Sequence, residues 1–304
     1  DLVADGTKYD HWGEQFFGPA GKLMRSIPMY PAAGNHEHEA DHYYNFFSLP
    51  GYEKWYSFDR ANCHFVCVNS CLDYQPGSEQ YKWLEKDLAS AQDAEWIFVY
   101  YHHPMYAYTP KRSESRIRLR KALEPLFFKY GVDVVFNGHD HFYERTKPLV
   151  KTTEPAGGPI IHVVTGGGGA PLYETKPSAW TAAGTKVLHF CVVDVEGKTL
   201  NMKVYQPDGT VIDELSLSKP YTEDFLASAY PVERATFSEA LAEALGNLDI
   251  GTILEGEVQA AREGELTLPN PLPEEIQAVI DWELGASGIQ VEPGHQPVLV
   301  RLEL

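Results

Sequence analysis

The stretch VVFNGHDHFYER, residues 134–145, decides the reading of this chain. It opens as an apolar run of strand type and passes through Asn-Gly into two histidines one residue apart. Three other segments read alike: IPMYPAAGNHE (27–37), WIFVYYHHPMY (96–106) and IIHVVTGGGGA (160–170) each run from an apolar strand into a turn of Gly, Pro or His. Runs apolar enough to be buried on both faces, separated by helical patterns, predict a layered α/β fold rather than exposed sheets. In such folds ligands collect beyond the carboxyl ends of the strands. Asn35, His36, His102, His139 and His141 are therefore expected to meet at one rim.

Helices are legible between these segments. SEQYKWLEKDLASA (78–91) offers Ser78 as a cap, with Tyr81, Leu84 and Leu88 on one face. SESRIRLRKALEPLFFKYG (113–131) puts Leu119, Leu123, Leu126, Phe127 and Tyr130 on one stripe. Gly131 is placed to end that helix, and Pro125 is expected to kink it or loosen a turn.

Composition narrows the function classes. Lys+Arg 25 against Asp+Glu 43 gives a net charge of −18, which argues against non-specific binding to nucleic acid or to an anionic membrane surface. No apolar run reaches the length of a membrane span. Cys63, Cys67, Cys71 and Cys191 fit neither a disulfide framework nor a Cys-x-x-Cys zinc motif. Residues 219–304 hold 16 acidic and 4 basic residues, a net of −12, which leaves −18 − (−12) = −6 for residues 1–218. That shift predicts a boundary near Lys219. Residues 219–250 read as an acidic linker with a helical stretch in FSEALAEALGNL. Residues 251–304 read as a small β-rich module whose last strand, VLVRLEL, is expected to be incomplete.

The His-x-His pair points to metal chemistry. Imidazole together with carboxamide or carboxylate oxygen suits zinc, iron or manganese. On an extended segment, one intervening residue would point His139 and His141 to opposite sides. Each could then serve one of two adjacent ions, about 3.5–4 Å apart in two-metal phosphoryl-transfer sites.

Taken together, DLVADG, GNHE, HHPMY and GHDHFYER resemble the calcineurin-like metallophosphoesterases in order and spacing. The purple acid phosphatase branch is the most similar, through YPAAGNHE, YYNFFSLPG and VDVVFNGHDHFYER, and the resemblance covers residues 1–218. It implies a layered α/β/β/α sandwich and hydrolysis of phosphate esters, monoesters above all, with phosphodiesters or nucleotides as the neighbouring chemistry. It also implies two metal ions, Zn, Mn or Fe, and a phosphorylated small molecule as partner. Carried over by position, Asp1 is the carboxylate that bridges both metals. Asn35, His102 and His139 complete one metal, and His141 belongs to the other. His36 faces the substrate, and Lys111 or Arg112 contacts phosphate oxygens. In that family a hydroxide activated by two metals attacks phosphorus in line. Secretion or periplasmic export is typical of similar proteins.

Two departures from the family pattern stand out. No Asp-x-His occurs in the chain, so either a first strand precedes Asp1 or the second metal lacks most of its ligands. Ala4 stands where coloured members of the family carry a tyrosine, so no purple colour is expected.

Rival readings compete. HEADH, His38 to His42, matches the His-Glu-x-x-His motif of zinc proteases, which requires both histidines on one helical face. A decayed metal site would leave a non-catalytic binding or scaffold protein. His103, beside Pro104, reads as a satisfied loop residue. TGGGGA either cradles an anion or is a tight loop, and YER after the second histidine reads as packing and pairing.

Overall fold

A computed structural model of the chain describes residues 1–108, 113–153 and 155–235. Strands are β1 (Tyr56–Arg60), β2 (Cys63–Cys67), β3 (Trp96–Tyr101), β4 (Val134–Asn137), β5 (Tyr143–Thr146), β6 (Leu149–Lys151), β7 (Gly157–Thr165), β8 (Thr181–Thr185), β9 (Phe190–Glu196), β10 (Thr199–Tyr205), β11 (Val211–Ser218) and β12 (Tyr230–Pro231). Helices are α1 (Tyr9–His11), which continues through a π-helical stretch, Trp12–Phe17, into α2 (Gly18–Met24), then α3 (Asp41–Phe46), α4 (Glu79–Ser90), α5 (Ser113–Tyr130) and α6 (Glu223–Ala227).

The larger sheet runs β1-β2-β3-β4-β7-β5-β8, with β2, β3, β4 and β7 parallel. Alternation along β3 explains its place. Trp96 and Phe98 face a core shared with Val134, Ile161 and Val163 and with Leu200, Met202, Val204, Leu215 and Leu217 of the three-stranded sheet β11-β10-β9. Tyr101, an odd number of positions along the strand, turns the other way and meets Phe127 of α5, ring centroids 6.4 Å apart. Two sheets thus pack face to face with helix on the outer side of the larger one, the layered α/β arrangement expected. Each fully buried large apolar side chain contributes about 1.5–3 kcal/mol.

Both sequence-read helices form. Ser78 Oγ accepts the Tyr81 N–H at 3.1 Å. Leu119, Leu123, Leu126 and Phe127 are buried, and Gly131, at φ +70°, ends α5. Pro125 lies inside α5, which runs on to Tyr130. The segment read as a strand at 27–34 is not one. Pro28 and Pro31 lack the N–H that a ladder needs. The Pro31 carbonyl is instead fixed by the hydroxyls of Tyr43 (2.7 Å) and Tyr56 (2.8 Å).

The chain divides into two compact units, Asp1–Val150 with Pro155–Tyr230, and Lys151–Glu154 with the chain from Pro231 onward. In the second unit, Glu233 Oε1 accepts the N–H groups of Thr152 and Thr153. The linker's helical stretch and the whole of the 251–304 module lie outside the described residues, as do Lys111 and Arg112. No described helix is long and apolar enough to cross a membrane.

Candidate metal centre

Strand register builds the rim. Tyr101 of β3 pairs with Asn137 of β4, so the next residues, His102 and Gly138, are opposite each other, and the Gly138 N–H donates to His102 O at 3.0 Å. On the other side of β3, Cys67 pairs with Tyr100 and the Val68 N–H donates to Tyr100 O, which brings Asn69 and Ser70 alongside. The Asn35 turn closes the group. His102 Nε2, buried, lies 2.9 Å from Asn35 Oδ1, 2.9 Å from His139 Nδ1 and 3.2 Å from Asp1 Oδ2. An ion with bonds of ~2.0–2.1 Å spaces tetrahedral ligand atoms roughly 3.3 Å apart, so His102 Nε2 and its three neighbours need only a slight separation to admit one. The donor types, two imidazoles, a carboxamide and a carboxylate, fit zinc, iron or manganese.

Backbone constraints hold the four in place. A Cβ on Gly34 would lie 2.2 Å from Asp1 Oδ1 and 2.7 Å from His102 Nδ1, so only glycine lets the turn approach. His139 adopts φ +65°, a conformation unusual for a non-glycine residue and one that clusters at functional sites.

His139 and His141 do part company, but for a different reason than an extended segment. Asp140 N–H donates to Gly138 O (2.7 Å) and Phe142 N–H to Asp140 O (2.9 Å), so the GHDH segment is folded into successive tight turns. His139 enters the cluster. His141 lies beside Pro171 and Tyr173: its Nδ1–H donates to Pro171 O at 2.8 Å, and its ring stacks on Tyr173 at 4.2 Å. That bond fixes the tautomer and leaves the lone pair on Nε2, the arrangement a ligating imidazole needs. The glycine run packs against the same turn, since a Cβ on Gly166 would lie 2.1 Å from Asp140 O. Asp140 itself is fully buried, with Arg116 Nη1 3.9 Å from Oδ2.

His36 is exposed. Its N–H donates to Asp1 Oδ1 (2.9 Å) and its Nδ1–H to Ala4 O (2.8 Å), so Nε2 is the nitrogen available to a substrate.

One imidazole read as a satisfied loop residue also lies at the cluster. His103 joins His102 and His139 in a group whose candidate ligand atoms lie within 4.8 Å of one another. Ser70 Oγ accepts the His103 N–H at 3.0 Å and lies 2.9 Å from its Nδ1. The His-His doublet was the available signal.

The zinc-protease reading fails on geometry. His38 and Glu39 have φ of 53° and 52°, which break the segment between the Asn35–Glu37 turn and α3, so His38 and His42 do not share a helical face. Glu39 accepts from Tyr44 Oη (2.6 Å) and Asn69 Nδ2 (2.9 Å). YER is structural, as read: Tyr143 Oη, Arg145 Nε and Arg145 Nη2 all donate to the Asp213 carboxylate.

Comparison with known proteins identifies the domain formed by the first half of the chain. The sequence profile of the calcineurin-like phosphoesterases matches residues 1–143. Those residues are a calcineurin-like phosphoesterase domain. Purple acid phosphatase 15 of Arabidopsis thaliana is 33% identical over 177 residues, 53% of this chain and 32% of that protein. Acid phosphatase type 7 of Mus musculus is 30% identical over 255 residues, 68% and 57% of the two chains. Among solved structures, the purple acid phosphatase PPD1 from yellow lupin (Lupinus luteus) seeds superposes with a TM-score of 0.63 at 26% identity, covering 75% of this chain and 47% of that one. The chain therefore spans between a third and just over half of the length of these relatives. All the residues clustered around His102 lie within the phosphoesterase domain.

Proposed function

We propose that the chain hydrolyses phosphate esters, monoesters first, at a centre that takes two metal ions. The observation that carries this reading is the convergence on His102 Nε2 of Asn35 Oδ1, His139 Nδ1 and Asp1 Oδ2 at 2.9, 2.9 and 3.2 Å. Asp1, Asn35, His102 and His139 would hold one ion, with Asp1 shared and His141 on the second. Bound there, the cations would act as Lewis acids toward the phosphoryl oxygens and neutralise charge developing in transfer.

The protein's own groups do the rest. His36, tied to Ala4 O through Nδ1–H, presents Nε2 outward; with the ring protonated, its Nε2–H would steady a phosphate oxygen or pass its proton to the departing alkoxide. Pro171 O holds His141 in its ligating tautomer, and the stacked Tyr173 ring steadies it there. The names of the relatives, acid phosphatases, support a monoester.

The test is metal analysis of the purified full chain together with hydrolysis of p-nitrophenyl phosphate and of bis(p-nitrophenyl) phosphate. Bound metal with faster monoester turnover, abolished by a chelator and restored by Zn²⁺ or Mn²⁺, is expected. Faster diester turnover would replace monoesterase by diesterase. A chain that binds no metal and turns over neither ester would sink the reading.

A further inference from the structure

Glu37 follows His36 in the turn, has no exposed surface, and is not among the expected ligands. Its carboxylate is spent on main-chain groups of two segments. Oε1 accepts the N–H of Leu2 (2.7 Å) and of Val3 (3.3 Å), and Oε2 accepts the N–H of Gly34 (2.6 Å). The Asp1 main-chain nitrogen lies 3.8 Å from Oε2. Around this clamp, Gly6 N–H donates to His36 O (2.8 Å) and His36 N–H to Asp1 Oδ1 (2.9 Å). The approach is so close that a Cβ on Gly6 would lie 2.5 Å from Glu37 O.

Burying a carboxylate is costly unless it is hydrogen-bonded, and an apolar residue of similar volume would strand three N–H groups. What this arrangement does is hold the segment bearing Asp1 against the turn bearing Asn35, the two oxygen donors of the cluster. We infer that Glu37 is the positioning residue of the metal centre, setting the spacing between the Asp1 carboxylate and the Asn35 carboxamide before any ion arrives. The inference rests on the metal-binding reading above.

Its test uses the full chain, stripped of metal and titrated calorimetrically with Zn²⁺, with folding checked by near-ultraviolet circular dichroism. The variants are Glu37→Gln, which keeps length but turns an amide N–H₂ toward a main-chain donor, and Glu37→Asp, which keeps charge but is too short to span both segments. Leu84→Ala, in the core on α4, serves as an equally destabilised control. Loss of a group that orients ligands lowers metal affinity about 10–100-fold. That loss is expected for both Glu37 variants, with the activity of Glu37→Gln recovering as Zn²⁺ is raised, while Leu84→Ala binds within about twofold of the unmodified chain because it touches no ligand. Glu37 variants that fold and bind Zn²⁺ as tightly as Leu84→Ala would overturn the inference alone. An unmodified chain that binds no Zn²⁺ would instead remove the reading beneath it.

Discussion

His102 Nε2 lies 2.9 Å from Asn35 Oδ1 although 67 positions separate the two residues in sequence. Two like-facing polar atoms this close on the rim of a sheet are what a shared cation would bring together, and the pair gives the first prediction. His139→Ala and Asn35→Ala should each lower both bound metal and phosphate-ester turnover by about 10²-fold or more, the size expected when a first ligand is lost. Glu39→Gln should leave turnover within about threefold, because that carboxylate serves Tyr44 and Asn69 rather than the cluster. Metal analysis and initial rates on the three variants check both halves. The reverse ranking would move the centre away from the His102 cluster to the turn that bears Glu39.

Gly34 offers a smaller perturbation. An added methyl would start 2.2 Å from Asp1 Oδ1 and 2.6 Å from the Asp1 main-chain nitrogen, so Asp1 must leave its place. Gly34→Ala should therefore abolish metal binding while circular dichroism reports a folded chain. Gly168→Ala, whose methyl meets nothing within 4 Å, should match the unmodified chain in both measurements.

The first two outcomes turn on features that differ in how visible they are in sequence. The strand-to-turn pattern at 96–106 and 134–145 is local, and parallel register then fixes His102 opposite Gly138 without further information. Caps such as Ser78 and Gly131 are equally local. The 27–34 segment misled because two prolines share the apolar pattern of a strand but cannot join a ladder. HFVCVNS, residues 64–70, is a further strand running into a polar turn. It passed unnoticed because Asn-Ser is a weaker signal than Gly-His, yet it supplies the Ser70 that holds His103. Glu37 is invisible for a different reason: its partners are main-chain N–H groups, which no side-chain motif records.

Asp213 ties the two sheets together through Tyr143 and the forked guanidinium of Arg145. Arg145 and Asp213 are only 13% and 10% exposed, so removing the carboxylate leaves a largely buried cation unpaired. Breaking such a pair costs about 3–5 kcal/mol. Asp213→Ala should show that loss as a lowered urea midpoint, with turnover at low temperature unchanged, because the clamp lies on strands rather than on the rim. A large loss of turnover in a fully folded Asp213→Ala would mean that Tyr-Glu-Arg acts in the reaction.

At the β1–β2 edge, His64 sits between two carboxylates, Nδ1 2.7 Å from Asp59 Oδ1 and Nε2 2.9 Å from Asp87 Oδ2. Burial pushes the imidazole pKa down, but the hydrogen bonds and charges of Asp87 and Asp59 outweigh it and raise the group above 6.5. Folding thus favours the protonated ring. The resulting stabilisation is fully present below pH 6.5 and is lost as pH rises through the raised folded-state value. The urea midpoint of the metal-free chain should therefore fall from mildly acid toward alkaline pH by more than that of His64→Gln, which cannot titrate and keeps only part of the hydrogen bonding. Parallel profiles for the two proteins would show that Asp59 and Asp87 hold a neutral ring, and that this edge does not favour an acidic medium.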